Sequence, residues 1–313
     1  MFAAVVPVLL LVLGAVLLTV GAEAFAKHVT AASASLGVSI VATAVLLAGA
    51  EPEEAITATL AAAQGHPSLA AGDAIGANLV ILTLTLGIAA LLTRLPVSRR
   101  VVEYAAAAAL VGVLDVLFLW NGLMSRGEGA VLLLLYVAGV VWVWRREQQP
   151  PVIGEAPEDE HGAPGLPPRP LLFLLLGLLG MVVGGLFAVR GAEGLVEVFG
   201  VTESVIGLTV LALATSAEMV ALVWAARRRG VTEIVVAGAV GAVAYNATVS
   251  LGLAAVVGPL GIGRGSPIVV VGGVTALLPL LMIAGRRTGS LPRPLGVMLV
   301  VAYLLTIGWL FAA

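Results

Sequence analysis

Glu53 and Glu218 stand 165 residues apart, and the residues round them repeat at the same interval. Gly76 matches Gly241, Ala77 matches Ala242, Thr83 matches Thr248, Leu86 matches Leu251 and Gly87 matches Gly252. Ala89-Ala90 and Ala254-Ala255 keep the spacing, as do Ser39 and Ser204. One offset shared across gapless stretches of roughly 50 residues is the mark of a duplication. In both copies the acid interrupts an apolar run. An ionised side chain in such a place costs about 2.5 kcal/mol or more, and acids kept there mark ion or proton paths.

The surroundings of the two acids narrow the chemistry. The first copy reads Ala48-Gly49-Ala50-Glu51-Pro52-Glu53-Glu54, and its Gly and Pro weaken a helix. The second reads Ala214-Thr215-Ser216-Ala217-Glu218, with two hydroxyls before the acid. Two such clusters facing one another offer oxygens from both sides of a cavity. A hard cation needs that arrangement: calcium takes about six to eight oxygens from carboxylates, carbonyls, hydroxyl-type groups or waters. Glu53 and Glu218 form the symmetric pair, while Glu51 and Glu54 also suit helix ends that face water. Asn246 fits either a ligand or an interhelical hydrogen bond. Gly72-Asp73-Ala74-Ile75-Gly76-Ala77 and Gly238-Ala239-Val240-Gly241-Ala242 are rich in small residues that let helices pack closely, with Asp73 placed to cap its helix. Asp115 is a lone acid in an apolar run, suited to a bond with a neighbouring helix or to a proton route. Glu23 and Glu193, each closing a Gly-Ala-Glu, suit the membrane interface.

Membrane-spanning helices must carry these residues. The 313 residues are 60% hydrophobic and 11% charged, with a net charge of −2 and a mean hydropathy of +1.12. That balance gives no sign of nucleic-acid binding and marks a polytopic all-α membrane protein in contact with the lipid bilayer. Ten runs are long enough to cross the hydrocarbon: 3–25, 37–64, 69–93, 101–121, 128–145, 171–190, 201–226, 231–258, 266–285 and 294–312. Loops after odd-numbered spans hold 13 of the 16 basic residues and the opposite loops hold only Arg126, Arg190 and Arg264. Both termini are therefore expected outside the cell membrane. Five spans per copy is an odd number, so the second copy enters upside down. This predicts two inverted five-helix repeats, 1–146 and 171–313, with matching regions at about 37–93 and 201–258 and a Pro- and acid-rich cytoplasmic linker at 147–170. In such folds broken helices meet near the bilayer midplane.

Other functions find no support. No phosphate loop surrounds Lys27, the single lysine, and His28, His66 and His161 form no zinc-hydrolase motif. The expectation is of no enzyme, no resident cofactor and no obligate protein partner.

Several motifs resemble those of the calcium/cation antiporter superfamily, which includes sodium/calcium exchangers and cation/proton exchangers. Residues 207–218, Gly-Leu-Thr-Val-Leu-Ala-Leu-Ala-Thr-Ser-Ala-Glu, look like the element that ends Gly-Thr-Ser-Leu-Pro-Glu in exchangers. Residues 72–77 are similar to Gly-Asn-x-x-Gly-Ser, and Asn121-Gly122-Leu123-Met124-Ser125-Arg126-Gly127-Glu128-Gly129 resembles Asp-Gly-x-Ile-Ser-Arg-x-Glu-Gly. The resemblance implies ten helices in two inverted halves that exchange inorganic cations, Ca2+ against Na+ or H+. It makes Glu53 and Glu218 the central carboxylates, Thr215 and Ser216 hydroxyl or carbonyl ligands, and Asn246 the polar position of the eighth span.

The departures tilt the reading. Ala50 and Glu51 replace Thr and Ser, Ala77 and Ala242 replace Ser, and Ile81 stands opposite Asn246. Lost hydroxyl and amide groups weaken sodium sites, while Glu51 adds a carboxylate. One residue fewer before each Glu is similar to cation/proton exchanger spacing. Burial favours the protonated form of a carboxylic acid and a bound cation displaces the proton, so one site can serve either, and protons stand slightly ahead of sodium as counter-ion. Two other readings remain open: a drug/metabolite-type transporter of similar architecture, and a non-transporting sensor or scaffold with a decayed ligand set.

Overall fold

The computed structural model describes residues 2–35, 51–147, 170–229 and 232–312. The first part of the expected second span, with Ser39 and Ala50, lies outside the described residues, as does 148–169 of the expected linker. The elements are α1 (Val5–Ser35), α2 (Pro52–Ala63), α3 (Pro67–Leu92), α4 (Arg99–Leu119), α5 (Arg126–Glu147) and α6 (Pro170–Phe199). There follow α7 (Glu203–Thr215), α8 (Ala217–Arg229), α9 in three pieces (Glu233–Tyr245, Asn246–Ser250, Leu251–Val257), α10 (Pro267–Thr288) and α11 (Arg293–Ala312). Eight of these, α1, α3 to α6 and α9 to α11, are long and apolar enough to cross a membrane. The chain is a polytopic all-helical membrane protein. Large apolar side chains such as Leu9, Leu134 and Leu305 are exposed on α1, α5 and α11, where lipid covers them, whereas α3 and α9 are mostly buried.

Of the two remaining expected spans, 37–64 is described only from Glu51 onward and 201–226 is two helices. Pro52 has no N–H to give, so it opens α2 at the first helical position, with Glu51 before it at φ −111° and ψ 74°. Residues 201–226 divide into α7 and α8 at Ser216, whose φ of −83° and ψ of 10° leave the helical path. No Pro or Gly marks that break. The Thr215 hydroxyl lies 3.2 Å from the carbonyls of Leu211 and Ala212, which compete for its single proton, and Ser/Thr back-bonding of this kind loosens a helix.

Three wide π-turns interrupt α3, α7 and α9, at Val80–Thr85, Gly207–Leu211 and Asn246–Ser250. Each contains a threonine whose hydroxyl competes for a carbonyl four residues back. Thr83 donates to Leu79, Thr209 to Val205 at 2.6 Å, and Thr248 to Ala244 at 2.5 Å. The first and third fall at matching positions of the sequence repeat. Such single-turn bulges gather at functional sites.

Small residues set the helix spacing. A Cβ on Gly14 would lie 2.6 Å from Ala188 N, one on Gly21 2.7 Å from Gly177 O, and one on Gly191 2.7 Å from Leu11 N, so α1 and α6 run antiparallel with their backbones in contact. A Cβ on Gly72 would lie 3.1 Å from Gly207 Cα, bringing α3 against α7. Short ladders tie loop to loop: β1 (Leu95–Pro96) pairs antiparallel with β4 (Ser290–Leu291), and β2 (Leu123–Met124) with β3 (Leu260–Gly261). His66, in the turn between α2 and α3, lies 2.8 Å from Glu193 of α6 and 2.8 Å from Glu203 of α7, about one-third exposed.

The expected cap role of Asp73 is wrong. α3 opens at Pro67 after a turn in which Gly65 takes φ 87°, so Asp73 sits two turns inside the helix on its buried side. The Gly-His-Pro of that turn was the signal for the true start.

Candidate cation site

The ends of α2 and α7 meet α3 and α9 in a buried polar cluster. Glu51 precedes α2, and Glu53 and Glu54 occupy its first turn, where the positive end of the helix dipole favours negative charge. All three are buried, Glu53 at 1% exposure and Glu54 at 0%, so helix ends facing water do not describe Glu51 and Glu54. Their surroundings are the packed small residues of α2, α3 and α7 rather than solvent.

Three hydrogen bonds join elements distant in the chain. Ser216 Oγ donates to Glu54 Oε1 at 2.7 Å. Asn246 Nδ2 donates to Glu51 Oε2 at 3.1 Å, and Asn246 Oδ1 accepts from Ser250 Oγ at 3.0 Å. Thr215 Oγ1 donates to Asp73 Oδ1 at 3.1 Å. Thr57 Oγ1 donates to the Glu53 carbonyl at 2.7 Å, one turn further along α2. Thr215, Ser216 and Asn246 are buried with the acids they hold.

The structure thus brings Thr215, Ser216 and Asn246 of the second copy into direct contact with Asp73, Glu54 and Glu51 of the first. Glu53 lies buried beside them in the same turn of α2. Glu218 is the second residue of α8, so its place in the break is matched to that of Glu53, and its side chain lies outside the described residues. Glu54 and Asp73 stood outside the expected ligand set, as a helix-end acid and a cap, yet both accept hydrogen bonds from the predicted hydroxyl pair. Among the described residues no three acidic or histidine side chains close into a metal-holding group. The cluster is instead a mixed one of carboxylate, hydroxyl and amide oxygens, which is the oxygen chemistry of hard cations. Asn246, holding Glu51, serves here as the interhelical partner.

Fold and cluster together define a helical membrane protein whose polar residues concentrate at broken helices in its interior. The comparisons identify the family: a family model described as sodium/calcium exchanger protein matches residues 6–145 and 169–312, and the chain belongs to that family. It is 28% identical over 287 residues to the putative antiporter CaxA of Alkalimonas amylolytica, covering 87% of this chain and 85% of that protein. It is 28% identical over 314 residues to the inner membrane protein YrbG of Escherichia coli (strain K12), covering 96% of each. Among solved structures, the sodium-calcium exchanger NCX_Mj soaked with Na+ and Sr2+ has the same fold, with a TM-score of 0.64 at 22% identity over 97% of this chain and 98% of that one.

Proposed function

We propose that this chain is a secondary-active antiporter that exchanges Ca2+, or a similar divalent cation, for H+ or Na+ by alternating access. The observation that carries the reading is the set of bonds Ser216–Glu54, Asn246–Glu51 and Thr215–Asp73, which join the two sequence copies through buried polar side chains. The family supports it, as do a relative described as a putative antiporter and a fold shared with a sodium-calcium exchanger that was soaked with Na+ and Sr2+.

In this reading Glu53 and Glu218 neutralise most of the charge of the divalent ion. Glu51, Thr215, Ser216 and Asn246 complete or position the oxygens, and Glu54 and Asp73 join them. Ten spans form two inverted halves, 1–146 and 171–313, with 147–170 as a cytoplasmic linker and both termini outside a cell membrane. The antiparallel seam of α1 with α6 and the matched π-turns of α3 and α9 favour that arrangement. Carboxylates that can hold either a divalent cation or protons supply the competition that exchange requires.

The test is Ca2+ uptake into vesicles carrying the purified protein, under an imposed pH gradient and separately under an imposed Na+ gradient. Glu53→Gln and Glu218→Gln should each abolish uptake, and the gradient that drives it names the counter-ion. Unaltered flux in both variants overturns the site.

A further inference from the structure

Asp115 belongs to none of this. It lies in α4, on the side facing α3, α9 and α10, and is only 4% exposed. With Asn78 of α3 and Thr275 of α10 it lines a cavity of ≈10 Å³, enough for one particle the size of a water molecule. The other lining residues, among them Ile75, Gly112 and Ala276, carry no charge.

Two acceptor oxygens in this cavity have no donor among the described residues: Asp115 Oδ1 and Asn78 Oδ1. Asn78 donates its amide nitrogen to the Val243 carbonyl at 3.4 Å, and its amide oxygen takes no part in that bond. Thr275 Oγ1 spends its proton on the Gly272 carbonyl at 3.0 Å, which leaves its lone pairs available. Carboxylate, amide and hydroxyl oxygens from three helices thus share one small space that contains no basic side chain. α4 packs closely on α10 beside the cavity, where a Cβ on Gly112 would lie 2.9 Å from Ala276 Cα. A buried carboxylate without a compensating partner is costly, so the chemistry here calls for one positive charge.

We propose that Asp115, Asn78 and Thr275 form a binding site for one sodium-sized monovalent cation, apart from the cluster at the helix breaks. One carboxylate balances one positive charge, and hard oxygens suit Na+; a divalent ion would keep a net charge in a low-dielectric interior. The proposal does not rest on the antiport reading, since binding is measurable without flux.

The experiment is equilibrium binding of radiolabelled Na+ to the detergent-purified full-length protein in a choline background. A saturable component should persist in the Glu53→Gln, Glu54→Gln double variant and vanish in Asp115→Asn. The same stoichiometry in Asp115→Asn overturns the proposal. So does proton uptake at Asp115 with no saturable Na+ component at any pH. Should Asp115→Asn fail to run as a monodisperse species, Thr275→Val decides. It keeps the charge and removes one oxygen, and should weaken Na+ binding about tenfold; unchanged affinity overturns the proposal. Intact Na+ binding beside lost Ca2+ flux in Glu53→Gln, or the reverse, keeps this reading and the transport reading separable.

Discussion

Ser216 donates its hydroxyl to Glu54 at 2.7 Å although 162 residues of chain separate them. Glu54 stands in the first turn of α2 and Ser216 at the break between α7 and α8, so a single bond ties the start of one helix to the interruption of another.

Loss of that hydroxyl strips a fully buried carboxylate of a donor and the cation cluster of an oxygen. Ser216→Ala should therefore weaken Ca2+ uptake by vesicles about tenfold in apparent affinity, and Glu54→Gln should reduce uptake further. Unchanged half-saturation in Ser216→Ala would remove the bond from the site.

Thr215 and Asp73 make the neighbouring bond, and their variants should separate packing from hydrogen bonding. Thr215→Val keeps the shape but leaves Asp73 Oδ1 without this donor, at a cost of about 1–3 kcal/mol, read as a lower melting temperature in detergent. Asp73→Asn retains an acceptor oxygen for Thr215 and should lose less. A larger loss in Asp73→Asn than in Thr215→Val contradicts the assignment.

Close helix approach makes a sharp contrast between two glycines. A Cβ on Gly76 would meet Leu208 Cα and Ala212 Cβ at 2.7 Å, so Gly76→Ala should force α3 from α7 and cost about 1–3 kcal/mol. Gly139 has nothing within 4 Å of such a Cβ, so Gly139→Ala should be neutral or gain up to about 1 kcal/mol from helix propensity. Thermal unfolding in one detergent compares them directly.

The absence of cysteine from the sequence allows clean labelling of single introduced thiols. Ser98→Cys, in the exposed loop before α4, should react with a membrane-impermeant maleimide only in inside-out vesicles. Gly127→Cys, exposed at the start of α5, should react only from outside the cell. Labelling of both from one side would refute the alternating spans of the proposed topology.

Much of the fold was legible because apolar runs of spanning length admit few interpretations. The eight long helices fall within a few residues of the expected spans, apart from the later ends of α1, which runs to Ser35 rather than 25, and of α6, which runs to Phe199 rather than 190. The start of α2 was announced by its proline, and the break at Ser216 only by a pair of hydroxyls. Asp73 and Glu54 were placed at helix ends, Asp73 as a cap and Glu54 facing water, for a different reason. A helix turns about 100° per residue, so sequence places Glu53 and Glu54 on different sides of α2 without saying which side meets α7. That choice is made by packing between distant segments, as at Gly72 and Gly207. The π-turns were equally hidden, since a threonine in an apolar helix does not reveal whether its hydroxyl will take the carbonyl behind it.

The glycines that bring α1 against α6 recur every seven residues: Gly14 and Gly21 on one helix, Gly177, Gly184 and Gly191 on the other. A seven-residue period keeps the contact stripe on one side of a gently wound pair along its whole length. With main chain rather than bulky side chains at the seam, the two helices make one stiff paddle with lipid along its outer edge. Under the proposed alternating access, a rearrangement that uncovers the centre from one side of the bilayer should move both helices together.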